Sequence, residues 1–263
     1  MINLNRVNAL IIRHLYLYKR SFPRIMDILY WPLMELLLWG FLSLYLQKTS
    51  LAGINIFTLL LGGIIFWDIL SQSQRAVSVA FLEDVWEKNF LNIFVTPLRV
   101  SEFILSTFFL GLIRIILSGT IMVILALLFY KFSIFIFGLS LIPFILNLLF
   151  FGWILGLFTT AIILRYGTSA QVLAFGLIFL IQPFSAVFYP VSALPSGVQF
   201  ISYLLPSTHV FEGMREVIAT HSFSMYHFLS ALLLNAIYMV LIFIFFYKML
   251  SKVKEKGRLL KLD

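Results

Sequence analysis

Three ionisable side chains stand inside long apolar stretches of the sequence: Glu35, Asp68 and Arg114. A charge in such surroundings is costly, so each of these residues needs a partner or a function. We expect Asp68 and Arg114 to pair, and Glu35 to face a neighbouring helix or a second subunit. As an alternative function, the two carboxyl groups would carry protons through a membrane.

The motifs of common enzyme chemistry are missing from the sequence. It contains no cysteine, no G-x-x-x-x-G-K-[ST] phosphate loop and no H-E-x-x-H zinc motif. The histidines His14, His209, His221 and His227 show no spacing that places two metal ligands on one helix. We therefore expect no catalytic residue, no metal site and no cofactor bound by this chain, so that any energy for its work comes from elsewhere.

The composition identifies lipid as the solvent of most of the chain. Of 263 residues, 62% are hydrophobic and 11% are charged, against about 25% charged residues in ordinary soluble domains. A backbone in lipid must satisfy its own hydrogen bonds, and the long unbroken apolar runs favour helices over a closed barrel. We predict an all-α membrane protein with six transmembrane helices. These lie near Ile28–Leu46, Ile54–Gln74, Phe103–Phe129, Phe132–Leu164, Ala170–Tyr189 and Tyr226–Met249.

Lysines and arginines are distributed unevenly over the connecting loops. Only Lys48, Lys131 and Arg215 fall on one side of the predicted bilayer, and the others, apart from Arg114, fall on the opposite side. Because cytoplasmic loops carry the excess of Lys and Arg, we expect both termini in the cytoplasm and an even number of spans. The formal net charge of +8 is then explained by the membrane, and we expect no nucleic-acid partner.

The first 26 residues are predicted to form a helix that lies on the membrane surface. Between Leu4 and Phe22 apolar residues recur every three or four positions, and Arg6, Arg13 and Arg20 recur every seventh. A helix places those three cations on nearly one stripe, among lipid phosphates. An ordinary basic flank to the first span is the alternative.

A second non-spanning segment is predicted between the second and third spans, at about residues 81–97. Its apolar residues, which include Trp86, fall on one helical face. The charged residues on the other face are Glu83, Asp84, Glu87 and Lys88. This pattern indicates a short amphipathic helix whose charged face meets water or a partner, although a solvated loop fits the pattern as well.

The segment from Pro190 to Ser224 is too apolar for a plain loop. Pro190, Pro195 and Pro206 divide it, and we expect two short re-entrant helices at about residues 195–221. The transmembrane domain then covers residues 27–250, and residues 251–263 form a basic cytoplasmic tail. Aromatic residues run along the fifth span, where they face lipid or line a path for an amphiphile or a sugar: Phe175, Phe179, Phe184 and Tyr189.

Two stretches of sequence resemble the ABC-2 type permeases, the membrane subunits of bacterial exporters. The first comprises residues 186–195 and 201–215, including Glu212 and Arg215, and is similar to the signature that leads out of the fifth span into outer re-entrant helices. The second, residues 86–97, is similar to the cytoplasmic coupling region. Many members have a Gly-Thr pair near Asn89 and Phe90, from which this chain departs.

The resemblance implies a permease homodimer in the bacterial cytoplasmic membrane, in contact with membrane lipids. Two separate ATPase subunits would bind ATP and Mg, and Glu83, Asp84, Glu87 and Lys88 would sit in a groove of the ATPase. The cargo would be an amphiphile such as a lipid-linked sugar, a polysaccharide or a drug. A secondary transporter with Glu35, Asp68 and Arg114 as an ion relay is the rival hypothesis, and a membrane enzyme or scaffold is a third. Secondary transporters often contain internal repeats, and we find no convincing repeat between the two halves of this sequence.

Overall fold

The computed structural model describes residues 2–49, 56–87 and 96–255 of the chain, and the regular structure of these residues is helical throughout. The α-helices of this part are α1 (Leu4–Arg20), α2 (Phe22–Thr49), α3 (Ile56–Trp86), α4 (Val100–Tyr130), α5 (Leu141–Tyr166), α6 (Val172–Ile181), α7 (Ser196–Tyr203), α8 (Pro206–Thr220) and α9 (Met225–Glu255). Short 3-10 turns occupy Ile134–Ser140, Gly167–Ala170, Gln182–Phe184 and Val191–Ala193. The predicted all-α membrane fold is confirmed.

Five helical segments of the described chain are long and apolar enough to cross a membrane. They are Phe22–Lys48, Ile56–Trp86, Val100–Tyr130, Ile134–Ala170 and Met225–Glu255. The predicted span Ala170–Tyr189 contains only the 10-residue helix α6 and the turn that follows it. A helix of that length extends about 15 Å, half of a hydrocarbon core. The count of six spans therefore stays a prediction.

Helix α3 is the centre of the bundle. Every residue from Leu60 to Val85 is buried, mainly against α2, α4 and α5. Gly152 and Gly156 of α5 permit this packing, because a Cβ atom at Gly152 would lie 2.4 Å from the Cβ of Ser73 in α3. The G-x-x-x-G step in α5 thus joins two helices of one chain.

Helix α1 begins and ends where its local sequence requires. The side chain of Asn3 caps it by accepting a hydrogen bond from the backbone N–H of Asn5 at 3.0 Å. At the other end Ser21 is extended, and α2 begins at once with Pro23 in its first turn. Val7, Leu10, His14 and Tyr18 form the buried face of α1.

The bend before α5 lies at a glycine. Gly138 has φ +54° and ψ −138°, which interrupts the 3-10 turn before α5. The proline of this region, Pro143, stands in the first turn of α5, where no helical N–H is lost.

Both ends of the described chain pack on one side of the bundle. Leu10 of α1 and Val253 of α9 share an apolar cluster with Phe103 and Leu164. We call this the α1 side. Helix α9 continues to Glu255 and so includes the first residues of the tail predicted at 251–263; residues 256–263 lie outside the described part. Helix α8 packs on the opposite side, where Met214 lies near Gly62.

Candidate functional site: a charged cluster on the α1 side

Five charged residues join α1 and the start of α2 to the end of α3. We call Arg13, Arg24, Glu83, Asp84 and Glu87 the α1–α3 cluster. Nη2 of Arg13 lies 2.6 Å from Oδ1 of Asp84 and 3.6 Å from Oε2 of Glu87. The Arg24 guanidinium donates from Nε to Glu83 at 3.0 Å and from Nη2 to Glu87 at 2.5 Å. Two cations therefore bind three acids at the junction of three helices.

The acids of this cluster differ sharply in burial. Asp84 is 0% exposed and Glu83 is buried, whereas Glu87 is exposed. His14 lies beside Asp84, with Nε2 3.9 Å from Oδ2. Burial first, and then the nearby cations Arg13 and Arg24, lower the pKa of His14 to about 3. His14 is consequently neutral near pH 7, and Arg13 is the cation that compensates Asp84.

The prediction that Glu83 and Asp84 lie on the outward face of a separate coupling helix is wrong. Both belong to the last turns of α3 and face α1 and α2. The charged face of the pattern is not solvated, because Arg13 of α1 binds Asp84 there and Arg24 of α2 binds Glu83. Trp86 is 49% exposed, and its Nε1 donates to Gln171 at 3.1 Å. Lys88 and the rest of the predicted segment up to residue 95 lie outside the described residues.

The three cations predicted to lie among lipid phosphates do not share one environment. Arg6 donates to the carbonyl of Pro97 and lies 3.7 Å from Glu102. Arg13 belongs to the α1–α3 cluster, and Arg20 is exposed. Acids of this chain bind Arg6 and Arg13, and the position of Arg20 among lipid phosphates stays a prediction.

Glu102 fastens the beginning of α1 to α4. Its carboxylate accepts from the backbone N–H groups of Asn3 at 2.8 Å and Arg99 at 2.9 Å. This side chain is 0% exposed. Glu102 therefore holds the beginning of α1 to the bundle, and Arg13 of the α1–α3 cluster holds its middle.

The predicted pair of Asp68 and Arg114 is not formed. Arg114 of α4 donates from Nη2 to Asp27 of α2 at 2.8 Å, and Arg75 of α3 lies 3.7 Å from the same carboxylate. Asp27 was not identified from the sequence as the partner of Arg114, because it directly follows a basic segment. Its place in the first turns of α2 is the signal that could have found it, since an acid there can reach cations on neighbouring helices.

Asp68 and Glu35 have different surroundings. Asp68 accepts hydrogen bonds from Ser118 at 2.8 Å and from Gln72 at 3.2 Å. Glu35 is half-buried, and the structure gives it no hydrogen bond or ion pair with the described residues. No hydrogen bond or ion pair within the described part joins any two of Glu35, Asp68 and Arg114, but the charge of Asp68 lies within electrostatic range of the other two.

On the opposite side, Glu212 and Arg215 of α8 hold the segment that precedes α7. The Arg215 guanidinium donates to the carbonyl oxygens of Ala186 and Tyr189, the latter at 2.9 Å. Glu212 accepts from the backbone N–H of Val191 at 2.7 Å. Ala186 has a left-handed φ of 52°, which turns the chain and brings its carbonyl to Arg215. Both residues predicted for this region therefore act on its backbone.

The three predicted proline boundaries lie at helix or turn starts. Pro190 precedes the turn Val191–Ala193, Pro195 precedes α7, and Pro206 is the first residue of α8. A histidine pair in this region was not predicted: Nδ1 of His209 lies 3.3 Å from Nδ1 of His227. Burial lowers the pKa of His209. The two rings are 18 residues apart, so no helical spacing signals their contact.

The four aromatic residues predicted to face lipid or to line a path lie in different parts of the structure. Phe175 lines a cleft on the α1 side, and Phe179 is exposed. Phe184 and Tyr189 belong to the turn region after α6, where the Tyr189 hydroxyl donates to the carbonyl of Pro183 at 2.5 Å. Short α6 separates the two groups along the bundle.

In the described residues no group of three or more His, Asp or Glu side chains is arranged to hold a metal ion.

Comparison with known families gives a match over most of the chain. A search of the curated proteins found no match to the chain. The family model of the ABC-2 type transporters, however, matches residues 6–219, from α1 to the end of α8. The chain therefore belongs to the ABC-2 type transporter membrane family, as a multi-pass membrane protein.

Proposed function

We propose that the chain is the permease subunit of an ATP-driven exporter in the bacterial cytoplasmic membrane. Two copies form the transport path, with both termini and the α1 side in the cytoplasm. Two ATPase subunits bind below them and supply ATP and Mg. The direction is outward, and the cargo is an amphiphile such as a lipid-linked sugar, a polysaccharide or a drug.

The observation that carries this proposal is the α1–α3 cluster. Arg13 and Arg24 attach α1 and the start of α2 to the end of the central helix, and Asp84 at its centre is 0% exposed. A force applied to α1 or to the chain that follows Glu87 would therefore move α3 with it, because separating buried charges is costly.

In this proposal the movement of the ATPase reaches the bundle through the end of α3 and not through a separate, exposed coupling helix. Glu83 and Asp84 are buried, so the contact with the ATPase falls to Trp86, to Lys88 and to Glu87, which is exposed although Arg13 and Arg24 bind it. From there α3 carries the movement into the bundle, since its residues Leu60–Val85 are buried against the neighbouring helices.

An apolar groove supports an amphiphilic cargo. Side chains of α5, α6 and α9 line an open groove with a volume of ≈ 400 Å³, and its surface is almost entirely apolar. Its lining includes Phe151, Phe158, Leu177, Ile181 and Phe245. Such a surface accepts hydrocarbon and offers little to a bare ion.

Co-purification with an ABC ATPase tests the assignment. Charge reversal by Glu87→Lys should weaken capture of the ATPase, whereas Arg20→Glu on the exposed surface of α1 serves as a charge-reversal control. Unchanged capture after the double change Trp86→Ala and Glu87→Lys would reject these residues as the contact. Failure of the unaltered chain to bind any ABC ATPase from its own cell would reject the function itself.

A further inference from the structure

A cleft opens on the α1 side, between the α1–α2 junction and helices α3, α4 and α6. Its volume is ≈ 380 Å³, within the range of about 300–1,000 Å³ that small-molecule sites occupy. Its polar lining includes Tyr18, Arg24, Asp27, Glu83 and Arg114. The cleft thus combines charged and hydroxyl groups with apolar walls in a chain otherwise poor in charge.

Two lining residues have donors that nothing in the described chain satisfies. Arg114 is 2% exposed and gives Nη2 to Asp27, but Nε and Nη1 have no hydrogen-bond partner among the described residues. The buried hydroxyl of Tyr18 is also without one there, and the Arg114 guanidinium carbon lies 5.5 Å from the centroid of the Tyr18 ring. Buried donors in folded proteins are nearly always paired, so an absent acceptor is indicated.

The same cleft has an unsatisfied acceptor. Arg24 binds Oε1 of Glu83, while buried Oε2 has no hydrogen-bond partner in the described part. The charged lining residues are two cations, Arg24 and Arg114, and two acids, Asp27 and Glu83. A simple anion would satisfy Arg114 but would face the Glu83 carboxylate. A ligand that carries an acceptor group and a donor group, with no net charge, fits both needs.

The position of the cleft suggests where such a ligand comes from. It lies at the end of amphipathic α1 and the start of α2, which begins a membrane span. Phe22, between the lining residues Ser21 and Pro23, exposes a large apolar surface, as residues at a lipid interface do. Val79 and Phe175 supply an apolar wall beside the charged groups. The phosphate region of a lipid lies at the same boundary, with polar groups on one side and hydrocarbon on the other.

We propose that this cleft binds the headgroup of a zwitterionic phospholipid with a primary amine. Oxygens of the phosphate accept hydrogen bonds from Arg114 and from the Tyr18 hydroxyl, and the ammonium group donates to Glu83. The lipid would fill the junction of α1, α2, α3 and α4 as a bound component of the protein. This binding does not depend on the proposed transport function.

Native mass spectrometry of the purified chain tests the proposal with three lipids of identical acyl chains. Phosphatidylethanolamine has the phosphate and the N–H donors, phosphatidylcholine lacks those donors, and phosphatidylglycerol carries a net negative charge. We expect phosphatidylethanolamine to be retained about tenfold better than either competitor. Equal retention of the three lipids, or preference for phosphatidylglycerol, would overturn the proposal.

Two conservative variants assign the contacts. Tyr18→Phe should lower retention of phosphatidylethanolamine about fivefold, as expected for the loss of one hydrogen bond, while Tyr16→Phe on the exposed face leaves it unchanged. Glu83→Gln should reduce the preference over phosphatidylcholine. Both proteins must elute as the unaltered chain does on size exclusion. Unchanged retention in a folded Tyr18→Phe protein contradicts the assignment. Equally strong competition by soluble phosphoethanolamine contradicts it as well, because the ligand would then need no acyl chains.

Discussion

Nη2 of Arg13 in α1 lies 2.6 Å from Oδ1 of Asp84 in α3, and Asp84 is 0% exposed. Seventy-one positions of sequence separate the two residues, yet their contact fixes the surface helix to the central helix of the bundle. The aspartate alone at this depth would be an uncompensated charge. The pair therefore makes α1 and α3 one mechanical unit.

Removal of Arg13 tests this relationship directly. We expect Arg13→Ala to lower the free energy of unfolding by about 3–5 kcal/mol, because Asp84 stays buried without its cation. The matched control is Arg20→Ala on the exposed face of the same helix, which should change it by less than about 0.5 kcal/mol. Denaturant unfolding in detergent measures both. Equal effects of the two variants would contradict a special role for Arg13.

Acid should weaken the protein through His14. The pKa of His14 is about 3 in the folded chain and about 6.5 when unfolded, so the unfolded chain binds the proton more readily between these values. Stability is therefore full above about pH 6.5 and falls, by up to about 1.4 kcal/mol per pH unit from this group, as the pH drops towards 3.

The variant His14→Leu isolates this contribution. The difference in unfolding free energy between the unaltered chain and His14→Leu should change with pH in that window and be constant above it. His221→Leu, at an exposed position, is the matched control. A parallel pH dependence of the unaltered chain and His14→Leu would show that His14 is not the group responsible.

The contact of α3 with α5 depends on the absence of a side chain at Gly152. A methyl group there would lie 2.4 Å from Cβ of Ser73 and 2.8 Å from a backbone oxygen, so Gly152→Ala should destabilise the protein by about 1–3 kcal/mol. Gly176 of α6 has no atom within 4 Å of a Cβ placed there. We expect Gly176→Ala to be neutral or slightly stabilising. Thermal unfolding of the two variants distinguishes steric clash from loss of a glycine as such.

Arg215 should be required for the order of the segment around Ala186 and Tyr189. Lysine keeps the charge but lacks the planar fork that reaches several oxygens, so Arg215→Lys should cost about 1.5–3 kcal/mol. Limited proteolysis should then cut the chain between residues 186 and 195 faster. Arg165→Lys, an exposed change on the α1 side, should leave this cleavage rate unaltered; a similar rate in both variants would refute the role of Arg215.

The helical membrane fold and the proline boundaries could be predicted from the sequence, because they depend on local patterns. Pro195 and Pro206 mark the starts of α7 and α8, and both could be read from backbone chemistry. The partners of buried charges could not be read in this way. Asp27, Arg114 and Arg75 come from three different helices, so only their packing determines which cation meets which acid.

The burial of Glu83 could not be predicted from the local sequence either. Considered alone, the amphipathic pattern of α3 places this charged residue on a solvent-exposed surface. Arg24 covers it from another helix, and nothing within the local sequence reports that contact.

ATP-dependent transport in vesicles that contain the permease and its ATPase tests the central claim most directly. We predict that a labelled amphiphile moves only when both proteins and ATP with Mg are present, and that collapsing the ion gradients leaves the rate unchanged. Transport by the permease alone, driven by an imposed proton or sodium gradient, would contradict the account.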